Sequence, residues 1–232
     1  MMSERLDGIV PEMVKRRAEQ LGEPGRLWLA SLPGRLAMLA DAWAFTPGEV
    51  LVGGSEALVM RVDRASGEEA ILKIPLWLSK GRHPELEVLL IADGVGYARV
   101  HAFEDDAWLV EALGVALEVL ERDPERLLTE TATALQRAWH PIDQSSASSF
   151  FDQREKAKGL ARMIAVNRDE LELFCSATAI DLALDYASAR ADAFDPHSEP
   201  SRLILGHGDP HPGNLLAVPG ADPPTFKFVD PD

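Results

Sequence analysis

The spacing of apolar residues changes from a helical to a strand period after residue 45, and this restricts the chain to folds that segregate helices from a sheet. In GRLWLASLPGRLAMLADAWAF, residues 25–45, apolar side chains recur every three or four positions, and Pro33 is expected to break the segment into two helical pieces. The stretches EVLVGGSEALVMRV and EEAILKIPL then alternate apolar and polar residues, with DRASGE between them as turn chemistry. This predicts an antiparallel sheet of at least three strands over residues 48–75.

Helical spacing returns in HPELEVLLIAD, where Pro84 suits a first helical position and Leu86, Leu89 and Leu90 share a face. GYARVHAFEDDAWLVEAL reads as a two-stranded hairpin turning at EDD. Residues 114–140 and 150–190 read as helical, and PIDQSSASSF and DAFDPHSEPSR as loops. The last segment carries two short apolar runs among turn residues. Helices, a five-stranded sheet with one inserted helix, and more helices make the fold class α+β, with a sheet lobe and a helical lobe. A cleft between such lobes is a usual ligand position.

The 232 residues suffice for one large domain or two smaller ones. A single cysteine, Cys175, excludes an internal disulfide and suits a reducing compartment. MMSERLDGIV has no apolar core of a signal peptide, and no apolar run reaches membrane-spanning length. A cytoplasmic protein is expected. The formal net charge of −15 opposes nucleic-acid binding and favours small cationic ligands. The oligomeric state leaves no mark in the sequence.

HGDPHPGN, residues 207–214, gathers two histidines, an aspartate and an asparagine where glycine and proline exclude regular structure. Three readings compete. The first is a solvated turn. The second is a metal-dependent hydrolase: His207, Asp209 and His211 alternate and could share a cation, although His83, His101, His140 and His197 are scattered singly and offer no further cluster. The third is a phosphoryl-transfer loop, in which an aspartate accepts a hydroxyl proton and an asparagine five residues on holds Mg²⁺. Asp209 and Asn214 have that separation. Asp230 in FVDPD offers a second Mg²⁺ ligand across a hairpin, and oxygen donors suit magnesium. Lys73, in AILKI, supplies a strand-borne cation for nucleotide phosphates.

AILKI, HGDPHPGN and FVDPD, in that order, resemble the aminoglycoside phosphotransferase family of kinase-like enzymes. GEPGRLWLASLPGRLAMLADAW, VGGSEALVMRV, AWLVEALG and LQRAWHP extend the likeness to the branch holding streptomycin 6-phosphotransferases and hydroxyurea-type resistance kinases. The resemblance implies a protein-kinase-like two-lobed fold, with an N-lobe over 1–113 and a helical C-lobe over 114–232. It further implies ATP and Mg²⁺ as cofactors and a streptomycin-like cationic aminocyclitol as acceptor.

Carried onto this chain, Asp209 is the catalytic carboxylate and Asn214 and Asp230 the metal ligands. Lys73 holds the α- and β-phosphates, oriented by Glu85, with Glu87 as the fallback. Gly53, Gly54 and Ser55 cover the phosphates, unless they form a plain hairpin turn. Backbone groups near Glu111 and Leu113 meet the adenine. His207 frames the loop, and His211 is structural or adjacent to substrate. Members of the family continue in further helices past the position of Asp232. The resemblance therefore implies a C-lobe incomplete at its C-terminus, with apolar surface exposed, and a nucleotide-binding remnant without turnover is the alternative to an active kinase.

Overall fold

The alternation after residue 45 is realised as a five-stranded antiparallel sheet with two different faces. A computed structural model describes residues 10–76, 78–79, 81–143, 150, 153–193 and 203–231. The chain divides into two compact units, Met1–Ala138 with Asp209–Asp232, and Trp139–Gly208. The segment read as lacking a signal peptide lies outside the described residues except for Val10. So do most of the loops read at 141–150 and 192–202.

In the first unit, helices α1 (Glu12–Gln20) and α2 (Glu23–Ala42) precede strands β1 (Phe45–Val50), β2 (Ala57–Arg64) and β3 (Glu69–Pro75). Helix α3 (Pro84–Ala92) follows, then the hairpin of β4 (Val100–Glu104) and β5 (Ala107–Glu111), in sheet order β1-β2-β3-β5-β4. The first strand begins three residues earlier than its alternation suggested. It is an edge strand with a bulge after Pro47, so the missing proline N–H leaves no central ladder bond unmade.

Pro33 does not divide the predicted helix. Helix α2 runs unbroken through it, because Leu32, Leu36 and Leu39 bury one continuous face on both sides of the proline. The Ser31 hydroxyl also donates to the Trp28 carbonyl within the turn that the proline disturbs (2.7 Å). Burying each leucine contributes roughly 1.5–3 kcal/mol, enough together to offset the lost backbone bond. Gly25 lets α1 and α2 cross closely, since a Cβ there would meet the Ala18 carbonyl oxygen at 1.9 Å.

The helical stretch predicted from residue 114 to 140 is two pieces, α4 (Leu117–Leu120) and α5 (Pro124–Ala138). Asp123 interrupts it by accepting from the Glu125 and Arg126 N–H groups, a cap that starts a new helix with Pro124 at its first position. The unit closes with a 3₁₀ turn at Pro212–Asn214 and the hairpin of β8 (Leu215–Ala217) and β9 (Phe226–Phe228).

The second unit holds β6 (His140–Pro141) paired with β7 (Ile204–Leu205), and helices α6 (Gln153–Val166), α7 (Arg168–Leu171) and α8 (Ala177–Ala193). Among the described residues no helix is long and apolar enough to cross a membrane.

Strand alternation assigns the two faces of the sheet. Leu58, Met60 and Val62 of β2, Ala70, Leu72 and Ile74 of β3, and Ala107 and Leu109 of β5 join Val14, Leu32, Leu36 and Leu39 in one apolar core. The intervening residues, Val59 and Arg61, Ile71 and Lys73, and Trp108 and Val110, point to the other face and line a cavity.

Candidate active site

Lys73 stands mid-strand on the cavity face, opposite Val59 on one side and Trp108 on the other. Its Nζ donates to both Glu85 oxygens (2.8 and 2.6 Å) and to Asp230 Oδ1 (2.6 Å), and it lies 5.8 Å from the Trp108 ring centroid. Glu85, not Glu87, meets the lysine, because the first turn of α3 turns Glu85 inward beside Leu86 and Leu89.

Burial opposes the charge on Lys73, but the Glu85 and Asp230 carboxylates outweigh it and hold the lysine above its ordinary value. Glu85 is pushed up to about 7, first by burial, against the pull of Lys73 and with the push of Asp230. The lysine therefore stays charged between two carboxylates, the buried one of Glu85 and that of Asp230, whose side chain is 57% exposed.

Helix α3 is capped by His83, whose Nδ1 accepts from the Glu85 N–H at 3.2 Å while its ring packs 5.2 Å from that of Trp108. Burial first, and then the Lys73 cation, lower His83 to about 4. A base depressed in this way stays neutral where the unfolded chain takes up a proton. Its contribution to stability is fully present above the ordinary value of 6.5 and is lost as pH falls toward 4. His83→Asn keeps a cap acceptor and removes the titration. Urea unfolding at pH 7 and pH 4.5 is expected to show the wild type losing about 1–2 kcal/mol more than the variant, the partial exposure of His83 included. Equal losses in the two proteins would contradict this reading of His83.

The loop at 209–214 closes on itself. The Asp209 carbonyl accepts from the His211 N–H (3.0 Å) and from Asn214 Nδ2 (3.2 Å), and the His211 carbonyl accepts from the Asn214 N–H (3.0 Å). His211 Nδ1 accepts from the Gly213 N–H, capping the 3₁₀ turn, while the Asp209 side chain remains exposed. His207 is buried. Among the described residues, no group of three or more His, Cys, Asp or Glu side chains could hold a metal ion, so the hydrolase reading of His207, Asp209 and His211 lacks a ligand cluster.

Backbone pairing brings the two acidic segments together. The Val229 N–H donates to the Asn214 carbonyl at 2.9 Å, and Asp230 follows with φ 54°, a left-handed conformation that aspartate tolerates better than most residues. Phe228 is fully buried. Its N–H donates to the Gly96 carbonyl and its carbonyl accepts from the Ala98 N–H. On its other side Gly96 lets the end of α5 approach, for a Cβ there would meet the Ala138 backbone at 2.6 Å.

Lys73, Glu85, Asp230, Glu111 and Leu113 all line one cavity of about 250 Å³, between the sheet and the β8–β9 hairpin. Gly53, Gly54 and Ser55 form the β1–β2 turn and do not line it; Gly53 has φ 142° and both glycines are exposed. A more open hollow of about 780 Å³, bounded by α4, α5 and the β8–β9 turn, contains none of the predicted residues. Sequence reasoning missed Trp108, Arg61 and Lys227 as parts of the site, although strand alternation places Trp108 and Arg61 on the face of Lys73.

No protein-family model matches the chain. A streptomycin 6-kinase from Streptomyces glaucescens is 33% identical over 256 aligned residues, spanning all of this chain and 72% of the relative. A hydroxyurea phosphotransferase from Kitasatospora aureofaciens is 29% identical over 90% of this chain and 60% of its own length. Among solved structures, an ethanolamine kinase from Plasmodium vivax covers 88% of this chain and 62% of its own, at 13% identity and a TM-score of 0.49. The class is that of small-molecule phosphotransferases, and the fold is α+β. The chain belongs to the aminoglycoside phosphotransferase family.

Proposed function

We propose that the chain is a cytoplasmic ATP-dependent O-phosphotransferase that moves the γ-phosphate to a hydroxyl of a streptomycin-like aminocyclitol. The observation that supports this most is the convergence of Lys73, Glu85 and Asp230 at one cavity whose backbone is joined to the Asp209–Asn214 loop. In this reading residues 1–113 bind the nucleotide and residues 114–232 supply the catalytic loop and hairpin. The net charge of −15 suits a cationic acceptor.

The adenine meets backbone groups near Glu111 and Leu113, and the turn at Gly53, Gly54 and Ser55 covers the phosphates. Lys73 holds the α- and β-phosphates and is kept charged and oriented by Glu85. Asp209 takes the proton of the acceptor hydroxyl as its oxygen bonds to the γ-phosphorus and the bond from that phosphorus to the β,γ-bridging oxygen breaks.

The donors near the phosphates fit Mg²⁺. Asp230 offers an exposed carboxylate. Asn214 commits its Nδ2 to the Asp209 carbonyl, which leaves the amide oxygen for a cation. Bound there, Mg²⁺ would neutralise charge developing on the transferred group.

Calorimetry of ATP with and without Mg²⁺, followed by streptomycin-dependent ADP release, tests the proposal. Mg²⁺-dependent binding with ADP release is the expected result. Binding without release would favour a nucleotide-binding remnant, and a folded protein that binds no ATP would overturn the reading of the site.

A further inference from the structure

The cavity wall contains three carboxylates, Glu85, Glu111 and Asp230, and two cations, Lys73 and Arg61. Arg61 is already paired with Glu69 at 3.0 Å, and Lys73 is shared by Glu85 and Asp230. Glu111 therefore depends on a cation from outside the lining. That cation is Lys227, whose Nζ donates to Glu111 Oε1 across 116 residues of sequence. Both side chains are largely shielded, at 20% and 23% exposure, so solvent screens the pair only weakly.

The position of Lys227 follows from its strand. Phe228 turns into the core, with its ring 6.2 Å from that of Tyr97, and Lys227 emerges on the opposite side of β9, level with Leu216. The same Glu111 oxygen accepts the Arg99 N–H at 2.7 Å. One carboxylate thus ties together the end of β5, the segment before β4, and β9, three residues before Asp230.

Resting on the nucleotide reading above, we infer that Lys227 is a positioning residue for the triphosphate. It cancels the negative charge of Glu111 on the cavity wall and holds β9, and with it Asp230, against the sheet. A nucleotide brings several negative charges into this cavity. Without Lys227 it would meet an uncompensated, poorly solvated carboxylate; adenosine, which has no phosphates, would not be repelled.

The test is calorimetry of Mg-ATP and of adenosine on the whole chain as wild type, Lys227→Met, Lys227→Gln and Lys227→Arg. Lys227→Met is expected to weaken Mg-ATP about tenfold with adenosine affinity nearly unchanged. Lys227→Gln keeps a donor toward Glu111 without the charge, and it carries the test if the methionine variant does not fold. The same ATP-selective loss is expected of it, and recovery in Lys227→Arg. Equal weakening of ATP and adenosine, or wild-type ATP affinity in the glutamine variant, would overturn the inference. If the folded wild type binds no Mg-ATP, the nucleotide reading fails first and this one with it.

Discussion

Asp209→Ala is expected to reduce phosphoryl transfer about 10³-fold while ATP affinity stays close to that of the wild type, since a positioned general base contributes typically 10²–10⁴-fold. The expectation of unchanged binding rests on where the side chain sits. The Asp209 carboxylate is 62% exposed, lies 3.6 Å from His211 Nε2 and does not line the cavity that Lys73 faces. The loop is held through the Asp209 carbonyl, which the substitution keeps. Thermal unfolding is therefore expected to be unaltered, and single-turnover ADP release isolates the chemical step. Turnover equal to the wild type would remove Asp209 from the reaction.

Asp230→Asn is expected to impair binding and chemistry together, lowering Mg-ATP affinity at least about tenfold and transfer by about 10³-fold. Asparagine is the better probe than alanine here. The backbone at 230 is left-handed, with φ 54°, and asparagine accepts that conformation whereas alanine adds strain. The lost ion pair with Lys73 is half-exposed on the aspartate side and adds little to stability, and Glu85 still holds the lysine. The fold should survive, and the loss should appear as a raised Mg²⁺ requirement in the ATP titration. A variant that keeps its Mg²⁺ dependence would exclude Asp230 as a ligand.

The sheet was legible because alternation is a local property. Leu58, Met60 and Val62 against Val59 and Arg61 can be read without knowing any partner strand. Helix α3 was legible through Pro84 and its leucines, but its cap was not, because His83 is outside the usual set of capping residues. Pro33 misled for a physical reason: propensity opposes a proline within a helix, and three leucines buried against the sheet override it. At the site, motif spacing brought forward Lys73, Asp209, Asn214 and Asp230. The Glu111–Lys227 pair left no trace, since neither residue carries a local signal and only the folded hairpin joins them.

The parity of three short strands has a consequence for how this chain can be altered. Lys73 reaches the cavity only because Leu72 and Ile74 are seated in the apolar layer behind it. Adding or deleting one residue within β3 would exchange the two sets, driving an ammonium into the core and a leucine toward the ligand. Substitutions at Val59, Arg61, Ile71 or Val110 leave that layer untouched. Ligand preference can therefore be reshaped on one side of the sheet while the opposite side preserves the frame, and an insertion is tolerated only in the turns between strands.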